Sequence, residues 1–176
     1  MTKREIREEM RRMKRAATAA QLEQWSAALV TLVLNNPQVR SARTVLLYHP
    51  LPDEADIRPL LTALQPKRLL LPVVVADDLE LRIFEGATSL RPGAFGILEP
   101  TGPVFRELEQ IDIAIVPGMA FTPDGCRLGR GRGYYDRLLP RLTHAYRIGV
   151  CWPFQLLDEL PVEPHDIRMH TVLSAC

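Results

Sequence analysis

Cysteine is scarce in this chain of 176 residues: there are three, Cys126, Cys151 and Cys176, and no two lie close together. An odd number without a CxxC pair argues against a disulfide framework and against a cysteine-rich zinc site. Long apolar runs are missing as well. No stretch approaches the ~20 residues that cross a bilayer. The basic N-terminus is not followed by the apolar segment of a secretory leader. Net charge is almost absent, +1 at pH 7, so the chain is not a polycation built for nucleic acid. The histidines, His49, His144, His165 and His170, share no metal-ligand spacing such as HxxxH. A reduced, cytoplasmic protein is expected.

What is present is an ordinary globular composition, 47% hydrophobic and 24% charged. The length suits one core, so residues 1–176 are read as a single domain. The 15 prolines fall mostly between candidate elements and mark turns. The charge is uneven. Residues 1–15 carry seven Lys or Arg against three Glu, a local excess of four on a slightly acidic remainder. Such a patch serves either a local anionic ligand or a solvated helix face.

Thr2-x-x-Glu5 and Thr18-x-x-Gln21 are capping-box patterns. They predict one or two helices over roughly residues 2–36, packed on the rest of the domain and ended by Asn35-Asn36-Pro37. The pattern then changes. Apolar runs at 43–50, 68–76, 79–84, 111–118, 147–152 and 171–175 read as strands, with Pro72 marking a bend or an end. Helices are predicted at 57–64 and around 134–142. Residues 85–110, rich in glycine and proline, read as a long structured connection. Strands alternating with helices predict an α/β fold: three layers, α/β/α, with a mainly parallel, Rossmann-like sheet.

Residues 127–136 read RLGRGRGYYD and follow a strand. Ligands of open α/β sheets bind at the carboxyl ends of strands. Glycines let backbone N–H groups approach phosphate oxygens, and Arg127, Arg130 and Arg132 add directional donors. The run is neither a Walker A motif nor a dinucleotide fingerprint, since Gly129, Gly131 and Gly133 form GxGxG. A tight structural turn and an RGG-like RNA tract stay open as alternatives. Asp136 either complements the following helix dipole or holds Mg²⁺ against phosphates. Tyr134 and Tyr135 either stack on a flat ring or fill the core.

On the first helix, Ile6, Met10, Met13 and Ala17 form the apolar stripe. Lys3, Arg7 and Lys14 border it, and Lys3 and Arg7 are the cations best placed to reach a ligand. In HPLPDEAD, residues 49–56, the acids either cap the next helix or accept hydrogen bonds from ligand N–H groups. Asp166 is a second metal carboxylate if the C-terminal segment folds back to the glycine loop.

Four motifs in this order resemble the 5-formyltetrahydrofolate cyclo-ligase family: KREIR at 3–7, PDEAD at 52–56, PGMAFTPDGCRLGRGRGYYDRLL at 117–139 and LPVEPHDI at 160–167. They span essentially the whole chain, and within the weakly matching connection at 85–110 GILEP at 96–100 also fits. The resemblance implies ATP- and Mg²⁺-dependent closure of 5-formyltetrahydrofolate, polyglutamated forms included, to 5,10-methenyltetrahydrofolate, with ADP and phosphate released. By position, it implies ATP contacts at Lys3 and Arg7 and along the loop residues Arg127, Leu128, Gly129, Arg130, Gly131, Arg132, Gly133, Tyr134 and Tyr135. It implies magnesium carboxylates at Asp136 and Asp166, a folate-binding acid at Glu54 and a substrate-lining His49. No protein nucleophile or general base is assigned. A monomer is expected, with neither nucleic acid nor membrane as partner. The alternative reading is a nucleotide- or RNA-binding module without folate chemistry.

Overall fold

A computed structural model describes residues 1–175. Both threonine capping boxes form. The Thr2 and Thr18 hydroxyls accept from the Glu5 and Gln21 backbone N–H groups, opening α1 (Lys3–Ala16) and α2 (Ala19–Asn35). Asn36 then caps a one-turn helix, α3 (Pro37–Ser41), through N–H groups of Gln38 and Val39.

The sheet strands are β1 (Thr44–Leu46), β2 (Arg68–Val75), β3 (Asp78–Ile83), β6 (Ile113–Val116), β9 (Tyr146–Cys151) and β10 (Thr171–Ser174). The smaller strands β4 (Leu90–Pro92) and β5 (Leu98–Pro100) form one hairpin, β7 (Ala120–Phe121) and β8 (Arg127–Leu128) another. The main sheet runs β10-β9-β6-β1-β2-β3. Every neighbouring pair is parallel except β2–β3. The order reverses between β1 and β6, and a ligand crevice opens at such a switch point.

Successive strand residues point to opposite faces, and both faces are covered. Val45, Leu47, Leu69, Leu71, Ile113 and Ile115 join Leu29 and Val33 of α2 in one cluster. Leu46, Leu70, Ala114 and Val116 join Phe121, Leu138, Leu139 and Leu142 in the other. That second layer is thin. The helix expected over 134–142 is α5 (Tyr134–Leu138) followed by a 3-10 turn, because Pro140 cannot continue the α ladder. The helix expected at 57–64 shrinks to α4 (Leu60–Ala63), since Asp56 accepts from Arg58 N–H in a turn of its own.

Helix α1 lies off the sheet. Its Ile6 and Met10 pack on Met119, Ala120 and Leu128 of the β7–β8 region. Strand β2 runs through Pro72. It pairs with β1 only over Arg68 to Leu70 and then overhangs it, so Pro72 deprives no β1 partner of a hydrogen bond. The Val74 N–H on the overhang is taken up by Glu99 Oε2 at 3.0 Å. Cys126 and Cys151 are free and buried, and Cys176 lies outside the described residues.

Candidate active site

A cavity of about 700 Å³ opens at the carboxyl ends of β1 and β6. All fifteen residues singled out in the sequence line it: Lys3, Arg7, His49, Glu54, the run from Arg127 to Asp136, and Asp166. Three segments distant in sequence build it.

The first is the loop after β1. Tyr48 donates its hydroxyl hydrogen bond to Ala55 O at 2.9 Å, closing the loop on itself. Leu51 N–H donates to Glu54 Oε1 at 2.8 Å, so this carboxylate turns back on its own loop and caps no helix. Burial raises the Glu54 carboxyl above its ordinary range, against the opposing pull of the Leu51 N–H and Arg130. His49 Nδ1 is buried without a hydrogen-bond partner. Burial also lowers the His49 pKa, which favours a neutral ring.

The second segment is the glycine loop, launched from β8. Arg127 is anchored at its root, where Nε donates to Pro117 O at 2.7 Å and Nη1 lies 3.8 Å from Asp136 Oδ1. Its guanidinium carbon sits 5.1 Å from the Tyr135 ring centroid. Gly131 and Gly133 have φ of +105° and +73°, in the left-handed region that side chains resist. Arg130 turns to the β1 loop, with Nη2 2.5 Å from Asp53 Oδ1 and Nε 3.7 Å from Glu54 Oε2. Arg132 crosses to Phe95, 4.4 Å from the ring centroid. Tyr134 and Tyr135 both face the cavity while packing on the second core. Burial pushes the Tyr135 hydroxyl up.

The third segment is α1. Arg7 Nε donates to Gly129 O at 2.8 Å. Lys3 Nζ lies 3.3 Å from Asp166 Oδ2 and 3.2 Å from Glu163 Oε1, so the C-terminal segment does fold back to the site. Asp166 Oδ2 also accepts from Glu163 N–H at 2.7 Å. Asp136 and Asp166 share the cavity wall. Among the described residues, no group of three or more His, Cys, Asp or Glu is gathered for a metal.

The arrangement suits an anionic ligand. Six cationic side chains, Lys3, Arg7, Arg11, Arg127, Arg130 and Arg132, converge on one cavity beside an apolar wall of Pro72, Val74, Leu79 and Ile97. The family model of the 5-formyltetrahydrofolate cyclo-ligase family matches residues 1–175. The chain belongs to that family. It is similar to the 5-formyltetrahydrofolate cyclo-ligase of Mycolicibacterium smegmatis, 38% identical over 76% of this chain and 74% of the relative. The Escherichia coli K12 cyclo-ligase is 32% identical, covering 94% and 96%. The solved structure of Aquifex aeolicus 5,10-methenyltetrahydrofolate synthetase superposes with a TM-score of 0.85 at 32% identity, over 98% of this chain and 89% of that one. Membership of the cyclo-ligase family makes the chain a ligase.

Sequence reasoning left several wall residues out. Phe95, Ile97 and Glu99 come from the β4–β5 hairpin, inside the connection at 85–110. Ile97 and Glu99 belong to GILEP, the part of that segment similar to the cyclo-ligase family, while Phe95 precedes it and carries no such signal. Arg11 was passed over because it lies outside the border defined by Lys3, Arg7 and Lys14. Asp53, one of the acids expected either to cap the next helix or to accept from ligand N–H groups, instead grips Arg130.

Proposed function

We propose that the chain closes 5-formyltetrahydrofolate to 5,10-methenyltetrahydrofolate, using ATP and Mg²⁺ and releasing ADP and phosphate. The observation that carries this reading is the shared cavity. An arginine-rich glycine loop and a buried carboxylate loop line a single space together with Lys3 and Arg7 of α1. Family membership supports the same reaction.

In this reading the loop N–H groups, with Arg127, Arg130 and Arg132, bind the phosphates, and Lys3 and Arg7 add charge from α1. Glu54 accepts hydrogen bonds from N–H groups of the folate ring. Its carboxyl has been stripped of water and has one oxygen engaged by Leu51, so ring donors restore what burial removed. His49 lines the same end. Tyr134 and Tyr135 offer flat faces for a ring.

Asp136 and Asp166 fit Mg²⁺. They are hard oxygen donors on the same cavity wall as the loop, and such a site takes one or two carboxylates plus phosphate oxygens. When bound, the ion supplies neutralisation of phosphate charge. The reacting atoms belong to the substrates. The formyl oxygen attacks the γ-phosphorus and ADP leaves. N10 then attacks the activated formyl carbon, phosphate departs and N10 loses its proton. Such a sequence asks the protein for positioning and charge stabilisation, which arginines and backbone donors provide.

The test is turnover of purified protein with 5-formyltetrahydrofolate, ATP and Mg²⁺, followed by the near-ultraviolet absorbance of the methenyl product. A rise requiring all three components is expected. A flat trace would overturn the reading.

A further inference from the structure

Arg130 is ion-paired with two carboxylates and hydrogen-bonded to only one of them, Asp53. Asp53 Oδ1 lies 2.5 Å from its Nη2, while Glu54 Oε2 lies 3.7 Å from its Nε. Glu54 and Arg130 line the cavity; Asp53 stands behind them and does not. The other oxygen of Asp53 is engaged from the back, 3.4 Å from Lys14 Nζ. The Lys14 side chain is 5% exposed, and its other polar neighbour is Met119 Sδ at 3.7 Å. Asp53 is thus held at both oxygens, by a buried ammonium on α1 and by the guanidinium of the glycine loop.

A guanidinium presents five donors and seeks carboxylates. Were Asp53 neutral, the nearest anion to Arg130 would be Glu54. That side chain is 10% exposed, against 40% for Asp53. A charge pair formed there would be less screened by water and harder to break. Glu54 Oε1 is already committed to Leu51 N–H. Oε2 is the oxygen left for a ligand, and it is the one Arg130 would take.

We propose that Asp53 is a positioning residue that holds Arg130 off Glu54 and so keeps Glu54 Oε2 open to the substrate, with Lys14 fixing Asp53 in place. The inference rests on the folate reading of Glu54 given above. It identifies a pair of residues outside the cavity that set how its two halves divide their charges.

Steady-state kinetics of wild type, Asp53→Asn, Glu54→Gln and the double variant would decide it. Asp53→Asn should raise KM for 5-formyltetrahydrofolate about tenfold, the size of one lost charge-assisted hydrogen bond, and KM for ATP by about twofold at most. In the Glu54→Gln background, Asp53→Asn should add no further rise in folate KM. Lys14 becomes an unpaired buried charge in Asp53→Asn, so the protein should also be made as Asp53→Asn with Lys14→Met. That pair of changes should recover the melting temperature and keep the folate defect. Equal rises in both KM values, a further rise in the Glu54→Gln background, or a folate KM restored by Lys14→Met would each overturn the proposal. Wild-type protein without turnover would instead overturn the underlying reaction, and this inference with it.

Discussion

Helices α1 and α2 begin with the same device, a threonine hydroxyl accepting from the N–H three residues on. Beyond that turn they have little in common. Helix α2 carries one charged residue, Glu23, and buries Leu29 and Val33 against the sheet. Helix α1 carries seven cations and three glutamates in fourteen residues, and buries Ile6 and Met10 on the β7–β8 hairpin. Three polar contacts add to this: Lys3 on Asp166 and Arg7 on Gly129 at the cavity, and Lys14 on Asp53 just outside it. Helix α2 is held by apolar area. Helix α1 is held by a small apolar patch on the hairpin that launches the glycine loop, so docking that helix brings Lys3 and Arg7 to the site.

The largest effect should come from α2. Leu29→Ala removes a fully buried side chain and should cost about 2–5 kcal/mol in urea unfolding, a large share of a domain's ~5–15 kcal/mol. Activity per folded molecule should not change. A fall in kcat with the fold intact would break the division between the two helices. Arg7→Ala should do the reverse. Loss of its charge-assisted bond to Gly129 O should lower kcat/KM for ATP by a factor of about 10 to 100, with little change in melting temperature. A large stability loss without a kinetic one would put α1 in the same class as α2.

A smaller effect separates the helices by pH. Burial lowers the Lys14 pKa below its ordinary 10.5, although Asp53 opposes this. The unfolded chain therefore binds the proton more tightly than the folded one, and stability rises with pH until the unfolded lysine titrates. Lys14 burial should thus weigh most at neutral pH and fade toward pH 10.5. The stability of wild type minus that of Lys14→Met should increase between about pH 7 and about pH 10. Urea titrations across that range would show it, and a flat difference would mean that the ammonium is not desolvated. The smallest effects are the caps. Thr18→Ala and Thr2→Ala should each cost about 1 kcal/mol. Only Thr2→Ala, which loosens the turn bearing Lys3, should also raise KM for ATP.

Much of this was legible in the sequence, and unevenly so. The threonine caps show because the N3 partner sits at a fixed offset. The sheet shows because strands covered on both faces are apolar throughout. The candidate site residues fall in one cavity because the loop motifs lie at the same end of the sheet and α1 packs beside them on the β7–β8 hairpin. The β7–β8 hairpin was not legible, since two-residue strands have no period to detect. Pro72 read as an interruption because the overhang of β2 beyond Leu46 is a property of its neighbour. The pairing of Asp53 with Arg130 was not legible because nothing in PDEAD records an arginine 77 residues away. Phe95 read as loop because its place on the cavity wall depends on where the β4–β5 hairpin lands.

The contacts that fasten α1 also set an order in time. Arg7 reaches Gly129 across 122 positions and Lys3 reaches Asp166 across 163. A ribosome releases α1 well before these two anchors. Until the β7–β8 hairpin emerges, the most basic segment of the molecule has only Asp53 to hold it, as an amphipathic helix of fourteen residues, marginal in water despite its cap. Contacts so distant along the chain form late. The nascent protein can therefore bury α2 on its growing sheet well before the cavity is assembled.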